Sequence, residues 1–196
     1  MERTSLVGDF VVLEPLAIEH VARLEKYFSP DLFKFFPRPY ANAYEFVKEN
    51  LENEQNGLFI PFAIINRRTQ EAIGCSEFAY FSPEHRRVEI GGTWIGRPFQ
   101  GSVFNPEAKL LMLMHAFEKM GCIRVELKAD TLNLVSQAAM EKMGAKREGV
   151  LRNHMIRSDG RKRNTTYFSI IEDEWPQTKA NLIERLKFKS QQLKSA

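Results

Sequence analysis

The sequence predicts an α+β fold, a mainly antiparallel sheet of about seven strands with one buried helix after the fourth. Three observations lead there. Short runs with alternating or continuous apolar character recur from residue 9 to residue 171. One stretch, 105–120, has a middle that is apolar all round, Leu110-Leu111-Met112-Leu113-Met114, and so must be covered on more than one side. The elements follow one another as β-α-α-β-β-β-α-β-α-β-β-α, with several strands joined by short turns, which is an α+β rather than a strictly alternating pattern.

Taken in order, residues 9–16 (DFVVLEPL) read as a strand, and Val21, Leu24 and Phe28 give 18–28 a helical spacing. The aromatic, proline-punctuated stretch 31–40 reads as an irregular loop or short helix whose Phe33, Phe35, Phe36 and Tyr40 serve packing, and 43–55 as a helix ending before Gly57. Strands follow at 58–66, 72–81 and 86–95, joined at 67–70 and 82–85 into an antiparallel meander. In the helix 105–120, Asn105 is the expected N-cap, with Pro106 in the first turn and Glu107 beside it. The run 123–129 alternates Ile123, Val125, Leu127 and Ala129 with Arg124, Glu126 and Lys128, a strand with one wet face. Residues 131–143 read as a helix with Val135, Ala138 and Ala139 inward and Gly144 as its stop. A hairpin, 146–156 with 163–171 around Ser158-Asp159-Gly160, and a charged helix at about 174–193, at the edge of the fold, complete the chain.

Composition narrows the function. The 196 residues, 43% hydrophobic and 27% charged, suit a single domain, 1–196, with a sizeable core. A net charge of +3 could favour anionic ligands such as a phosphorylated cofactor, but it is too small to argue for nucleic acid, and no reader motif is present. Cys75 and Cys122 stand alone in apolar settings and read as buried free thiols in a reducing cytoplasm. The N-terminus does not read as a signal peptide and no run approaches a membrane span, so the expectation is a soluble, cytoplasmic protein without a membrane partner. His20, His85, His115 and His154 lack ligand spacing, so no metal is expected, and His115 is expected as a hydrogen-bonded core residue.

The chemistry concentrates in Trp94 to Lys109, where a strand runs through a glycine-containing loop into a helix. Loop amides followed by a helix N-terminus present several N–H donors and the positive end of a dipole, an arrangement that holds a phosphate or pyrophosphate. It matches neither the P-loop nor the dinucleotide fingerprint. The segment Gln100-Gly101-Ser102-Val103-Phe104-Asn105 resembles the cofactor loop of GNAT acetyltransferases, Gln/Arg-x-x-Gly-x-Gly/Ala, with Val103 and Asn105 where small residues are usual. Further stretches are similar to the RimJ/RimL branch of N-terminal acetyltransferases: Asn105-Pro-Glu-Ala-Lys109, His115-Ala-Phe-Glu118, Arg124-Val-Glu-Leu-Lys128, Asn133-Leu-Val-Ser136, Met143-Gly-Ala145, Glu148-Gly-Val-Leu-Arg152, Asp159-Gly160 and Trp175. The resemblance spans residues 8 to 186 and rests on their succession.

The resemblance implies a GNAT-type mixed sheet with helices on both faces. It also implies acetyl-CoA as co-substrate, held by Trp94, Ile95, Gln100, Gly101, Ser102, Val103, Phe104, Asn105 and Asn133. Asn133 would bind the pantetheine arm, and Ser136, near the sulfur, would stabilise the departing thiolate and act as general acid. Glu89, pointing away from Val88 and Ile90, is the candidate base. With Tyr80 opposite Arg86, Glu77 would fall opposite Glu89, and two close carboxylates raise one another's pKa; pairing of Glu89 with Arg87 or Arg124 is the alternative. The implied reaction is direct attack of a primary amine on the acetyl thioester, the acceptor being a protein or peptide N-terminal α-amine. A small amine, or a non-catalytic acyl-CoA-binding role, is the alternative. Arg157, Arg161, Lys162 and Arg163 make the hairpin tip basic, hinting at an acidic or peptide acceptor. The chain is expected as a monomer or homodimer.

Overall fold

The alternation that marks the strands places them in one eight-stranded sheet. In the computed structural model, which describes residues 3–194 and side chains through Gln191, the strands are β1 (Leu6–Val7), β2 (Val11–Pro15), β3 (Phe59–Asn66), β4 (Ala72–Ser82), β5 (Arg87–Ile95), β6 (Arg124–Asp130), β7 (Lys146–Ile156) and β8 (Lys162–Ile171). Residues 1–2 and 195–196 of the expected domain lie outside the described residues. The sheet order is β1-β2-β3-β4-β5-β6-β8-β7, antiparallel throughout except for the parallel pair β5 and β6. The eighth strand, beyond the seven expected, is the two-residue β1, which folds back on β2 through Leu6 opposite Leu13.

Among the described residues five α-helices cover the sheet: α1 (Val21–Glu25), α2 (Ala43–Gln55), α3 (Phe104–Met114), α4 (Leu134–Met143) and α5 (Trp175–Lys194). One apolar core, with Val11, Leu13, Ile73, Phe78, Val88, Ile90, Met112, Leu113, Val125, Leu127 and Phe168, also takes in Trp175, Leu182 and Leu186 of α5. The other gathers Leu24, Phe33, Tyr40, Phe46, Val47, Cys75 and Trp94 beneath α1 and α2. The aromatic stretch 31–40 serves this second core as expected, with Phe33 stacked on Phe28 and edge-on to Phe36 and Tyr40.

Several local expectations change. The helix expected over 18–28 is a 3-10 turn, Ile18–His20, followed by the five-residue α1. Asn105 is not the cap of α3: the helix begins at Phe104, with Val103 at the cap and its carbonyl accepting from the Glu107 amide at 3.0 Å. Complete burial of the Val103 side chain anchors that start. The helix then ends at Met114 and passes into a π-helical turn, His115–Lys119, where His115 lies against the Phe78 ring, centroids 5.9 Å apart, in place of the expected hydrogen bond. Val135 points outward at 83% exposure, because α4 starts only after Asn133 and lies on the sheet by its C-terminal end, where Met143 is buried. The helix α5 is part of the core rather than an edge element, burying Leu182 to 1%.

Candidate active site

The parallel pair β5 and β6 is short. Arg87, Val88 and Glu89 face Arg124, Val125 and Glu126, and there the pairing ends, although β5 runs on to Ile95 and β6 to Asp130. The strands part like a fork with Glu89 and Glu126 at the crotch. Both strands run toward the open end, so the helices that follow them, α3 and α4, begin there; crevices at the C-terminal ends of parallel strands are where such folds bind ligands.

On the α3 side the fork is bordered by residues 96–103. The Gly96 amide donates to the Ile73 carbonyl at 2.8 Å and the Gln100 side-chain amide to the Ile95 carbonyl at 2.8 Å, while the Ser102 hydroxyl donates to the Phe99 carbonyl at 2.5 Å. Gly101 adopts φ +73° with open space where a side chain would stand, and Lys189 of α5 donates to its carbonyl. Among the described residues, the amides of Gly101, Ser102 and Val103 donate to no group of the chain. Three successive unpaired N–H groups at the start of a helix form an anion cradle. The Asn105 side-chain oxygen beside them is buried without a partner. On the α4 side, Asn133 caps the helix, its side-chain oxygen accepting from the Ser136 amide at 3.1 Å, while its side-chain NH2 has no partner among the described residues. Asn133 and Ser136 thus share the first turn. Next to them, Leu132, Leu134 and Val135 are exposed.

The floor of the fork is a bulge in β5. Cys75 pairs with Trp94 and Glu77 with Gly91, so two residues of β5, Gly92 and Thr93, stand against Ser76 alone. Gly92 takes φ +54°, open to glycine at little cost. The inserted residue reverses the facing of the strand beyond it: Ile90 belongs to the core under α3, Trp94 to the core under α2. It also clears room for a carboxylate. A Cβ on Gly92 would stand 2.3 Å from Glu77 Oε2, and one on Gly91 would stand 3.4 Å from both Glu77 Oε1 and Glu89 Oε1.

The two carboxylates therefore converge, but not directly opposite one another. Glu77 faces Gly91 and Glu89 faces Ala79, a two-residue displacement from the expected register that keeps both on one face. Glu89 is paired neither with Arg87 nor with Arg124, which both reach Glu126. Its partner is Lys128, 2.5 Å away, whose ammonium also lies over the Tyr167 ring at 4.9 Å. Burial pushes the Glu89 carboxyl up, and Lys128 opposes that shift. Glu77, only 8% exposed, has no hydrogen-bond or ion-pair partner among the described residues. Burial, reinforced by the charge of Glu89 and opposed by Lys109, pushes it up to about 8.

Lys109, a residue to which the sequence pattern gave no role, enters from α3 and is 7% exposed. Its ammonium donates to the Ser76 hydroxyl at 2.9 Å and to the Thr93 hydroxyl, the two side chains that flank the bulge and lie 2.8 Å from one another. Burial drives it down from the usual lysine range, against the pull of Glu77. A lysine inside an otherwise apolar helix and a Gly-Gly pair inside a strand are the sequence signals that would have marked this cluster.

The polar face of β6 is not wet as expected. Arg124 holds Glu148 and Glu126, Lys128 holds Glu89, and Asp130 holds Arg161, so the face is a lattice of ion pairs, half-buried at Glu126 and Lys128 and exposed at the Arg124–Glu148 pair. The hairpin tip is less basic than its sequence: Arg157 pairs with Asp159 at 3.1 Å and donates to the Phe36 carbonyl at 3.0 Å, docking the tip on the 35–37 segment. An open groove of about 730 Å³ follows Val150–Asn153 and Asn164, adjoining the α4 entrance where the Thr131 amide donates to the Asn164 carbonyl at 3.1 Å. Among the described residues no three metal-ligating side chains cluster, and no helix is long and apolar enough to cross a membrane.

Residues 11–146 match the family described as the acetyltransferase (GNAT) domain. The chain is 32% identical over 122 residues to the uncharacterized N-acetyltransferase YoaA of Bacillus subtilis (strain 168), covering 62% of this chain and 67% of YoaA. It superposes on a GCN5-related N-acetyltransferase from Brucella melitensis with a TM-score of 0.88 and 28% identity, covering 95% of this chain and 86% of that one. Mycobacterium smegmatis RimJ in complex with CoA-disulfide shares the fold with a TM-score of 0.73, at 21% identity, over 89% of this chain and 88% of RimJ.

Proposed function

The chain belongs to the GNAT acetyltransferase family and is an acetyl-transferring enzyme; from that premise we propose that it acetylates the α-amine of a protein or peptide N-terminus, with acetyl-CoA as donor. The observation that carries this reading is the fork, with an unpaired amide cradle at one prong, Asn133 and Ser136 at the other, and two carboxylates at its floor. The residues present fit the donor: the unpaired amides of Gly101, Ser102 and Val103, with Gln100, Phe104 and Asn105 beside them, would hold its pyrophosphate, and Asn133 would hold its pantetheine arm. Trp94 and Ile95, their side chains buried in the two cores, would offer that arm the backbone edge of β5 beyond its pairing with β6. The donor brings an activated thioester carbonyl.

Glu89 and Ser136 are the proposed catalytic side chains. The carboxylate of Glu89, kept charged by Lys128, draws an ammonium into the floor of the fork, and the Ser136 hydroxyl supplies a proton to the departing sulfur. No covalent enzyme intermediate is needed, and Cys75 and Cys122, both buried and both pushed up by burial, stay outside the chemistry.

An α-amine is the acceptor that such a site handles most easily. At pH 7, freeing it of its proton costs about 1 kcal/mol, against about 4.6 for a lysine amine. The likeness in fold to RimJ supports the same choice. The deciding experiment follows free thiol released from acetyl-CoA across peptides with a free N-terminus, the same peptides N-terminally blocked but carrying lysine, and small amines. Turnover confined to free N-termini is expected; turnover confined to small amines overturns the N-terminal assignment.

A further inference from the structure

The two carboxylates at the floor of the fork are held differently. Glu89 has committed its charge to Lys128, whose side chain is 19% exposed. A proton taken up by Glu89 would break that pair and leave a largely buried ammonium without its counter-charge, which is costly. Glu77 breaks no hydrogen bond or ion pair on protonation, because no cation and no donor is bound to it. Its oxygens also lie closest to the bulge, filling the space that Gly91 and Gly92 leave open.

We propose that Glu77 takes the proton from the acceptor ammonium, and that Lys109 acts through it as a positioning residue from behind the bulge. This rests on the amine-acetylating reading above. An ammonium arriving beside a buried carboxylate is better accommodated as a neutral amine beside a neutral acid, since both charges disappear from a poorly solvated place. The ammonium gives one proton to the Glu77 carboxylate, and the nitrogen pair so freed forms the N–C bond with the acetyl carbon. The C–S bond breaks with its electrons on sulfur, which receives the second nitrogen proton by way of Ser136. Glu77 then returns its proton to water, so the products are an amide, a thiol and one released proton.

The surroundings of Glu77 give the role of Lys109. Glu89 faces it from β5 and Glu49 from α2, both raising its proton affinity; Cys75 and Tyr80 share its strand, and Pro61 of β3 opposite it carries no charge. Lys109 of α3 is the cation that opposes them. Its two hydroxyl ligands, Ser76 and Thr93, fix it to the bulge itself, so the charge and the shape of the floor come from one side chain. The affinity that results, pushed up to about 8, lies close to that of an α-amine, also about 8.

The test is the pH dependence of kcat/KM with acetyl-CoA and two acceptors of different basicity, a free peptide N-terminus and a lysine-type amine. In the wild-type chain the acid limb belongs to the enzyme and stays at one pH for both acceptors. Glu77→Gln, close in shape to the protonated acid, is expected to lose about 100-fold at pH 7, and its acid limb then follows the pKa of each amine. Lys109→Met moves the wild-type limb to higher pH, and Glu89→Gln, besides lowering the rate, moves it to lower pH; a merely structural role yields no opposed displacements. A retained melting shift with acetyl-CoA certifies that each variant is folded. A Glu77→Gln variant that keeps an acceptor-independent limb, or limbs unmoved by the other two substitutions, overturns the assignment while acetyl transfer stands. Failure of the wild-type chain to acetylate either amine overturns the reaction with it.

Discussion

Lys109 shows what single residues are asked to tolerate at the floor of the fork. Its ammonium rests on two hydroxyls, and burial drives its pKa down from the usual lysine range, against the charge of Glu77. The folded protein therefore takes up this proton later than the unfolded chain as pH falls, so its cost to stability grows over the interval from the unfolded value of about 10.5 down to the lowered folded one. Lys109→Met is expected to gain stability over the wild type as pH is lowered through that interval, read as urea midpoints at pH 9.5 and pH 7. An advantage equal at both pH values would mean that the buried amine does not titrate there. Ser136 has its own expectation at the opposite prong. Ser136→Ala should lower kcat by about tenfold or more and leave acetyl-CoA affinity within a few-fold, because the hydroxyl acts on charge that develops only during transfer. Single-turnover rates beside equilibrium binding check that separation.

Among the elements, α3 does more than begin at the anion cradle. Glu107 in its first turn accepts the amides of Asp9, Phe10 and Val11 at 2.8, 2.7 and 2.6 Å, tying the β1–β2 hairpin to the helix whose start holds the cradle. Glu107→Ala strands three N–H groups and is expected to cost about 3 kcal/mol, lowering Tm by roughly 6–12 °C. Thermal unfolding measures it directly. None of this is visible in the sequence, where Glu107 reads only as an acid suited to a helix N-terminus, since the partners are 96 to 98 residues away. What was legible is what depends on neighbours in the chain. The helix 43–55 and the strands of the meander stand where their apolar spacing puts them, because burial of one face decides them. The β4–β5 register was not legible, because Tyr80 and Arg86 take φ +51° and +47° and the Gly91-Gly92 bulge adds a residue. The carboxylate pair survived that error only because a displacement of two preserves the face. Val135 was misplaced for another reason: α4 begins only after Asn133 and is buried at its C-terminal end, so Val135 stands in a first turn that the sheet does not cover.

At the scale of the molecule, the amide cradle and Asn133 lie on different parts of the sheet, and a donor that binds both can only bind the folded chain. Acetyl-CoA at about 100 times its dissociation constant should therefore stabilise the fold by roughly 2.7 kcal/mol, a rise in Tm on the order of 5 to 11 °C at this chain length. No rise at millimolar acetyl-CoA or CoA would exclude the proposed donor site. The same geometry bears on motion. Because β5 and β6 are joined over three residue pairs alone, while β6 and β8 are joined over seven, the sheet is two leaves of five and three strands meeting at a narrow spine. A donor lying in the fork would bridge the leaves beyond the spine and restrain their movement against one another.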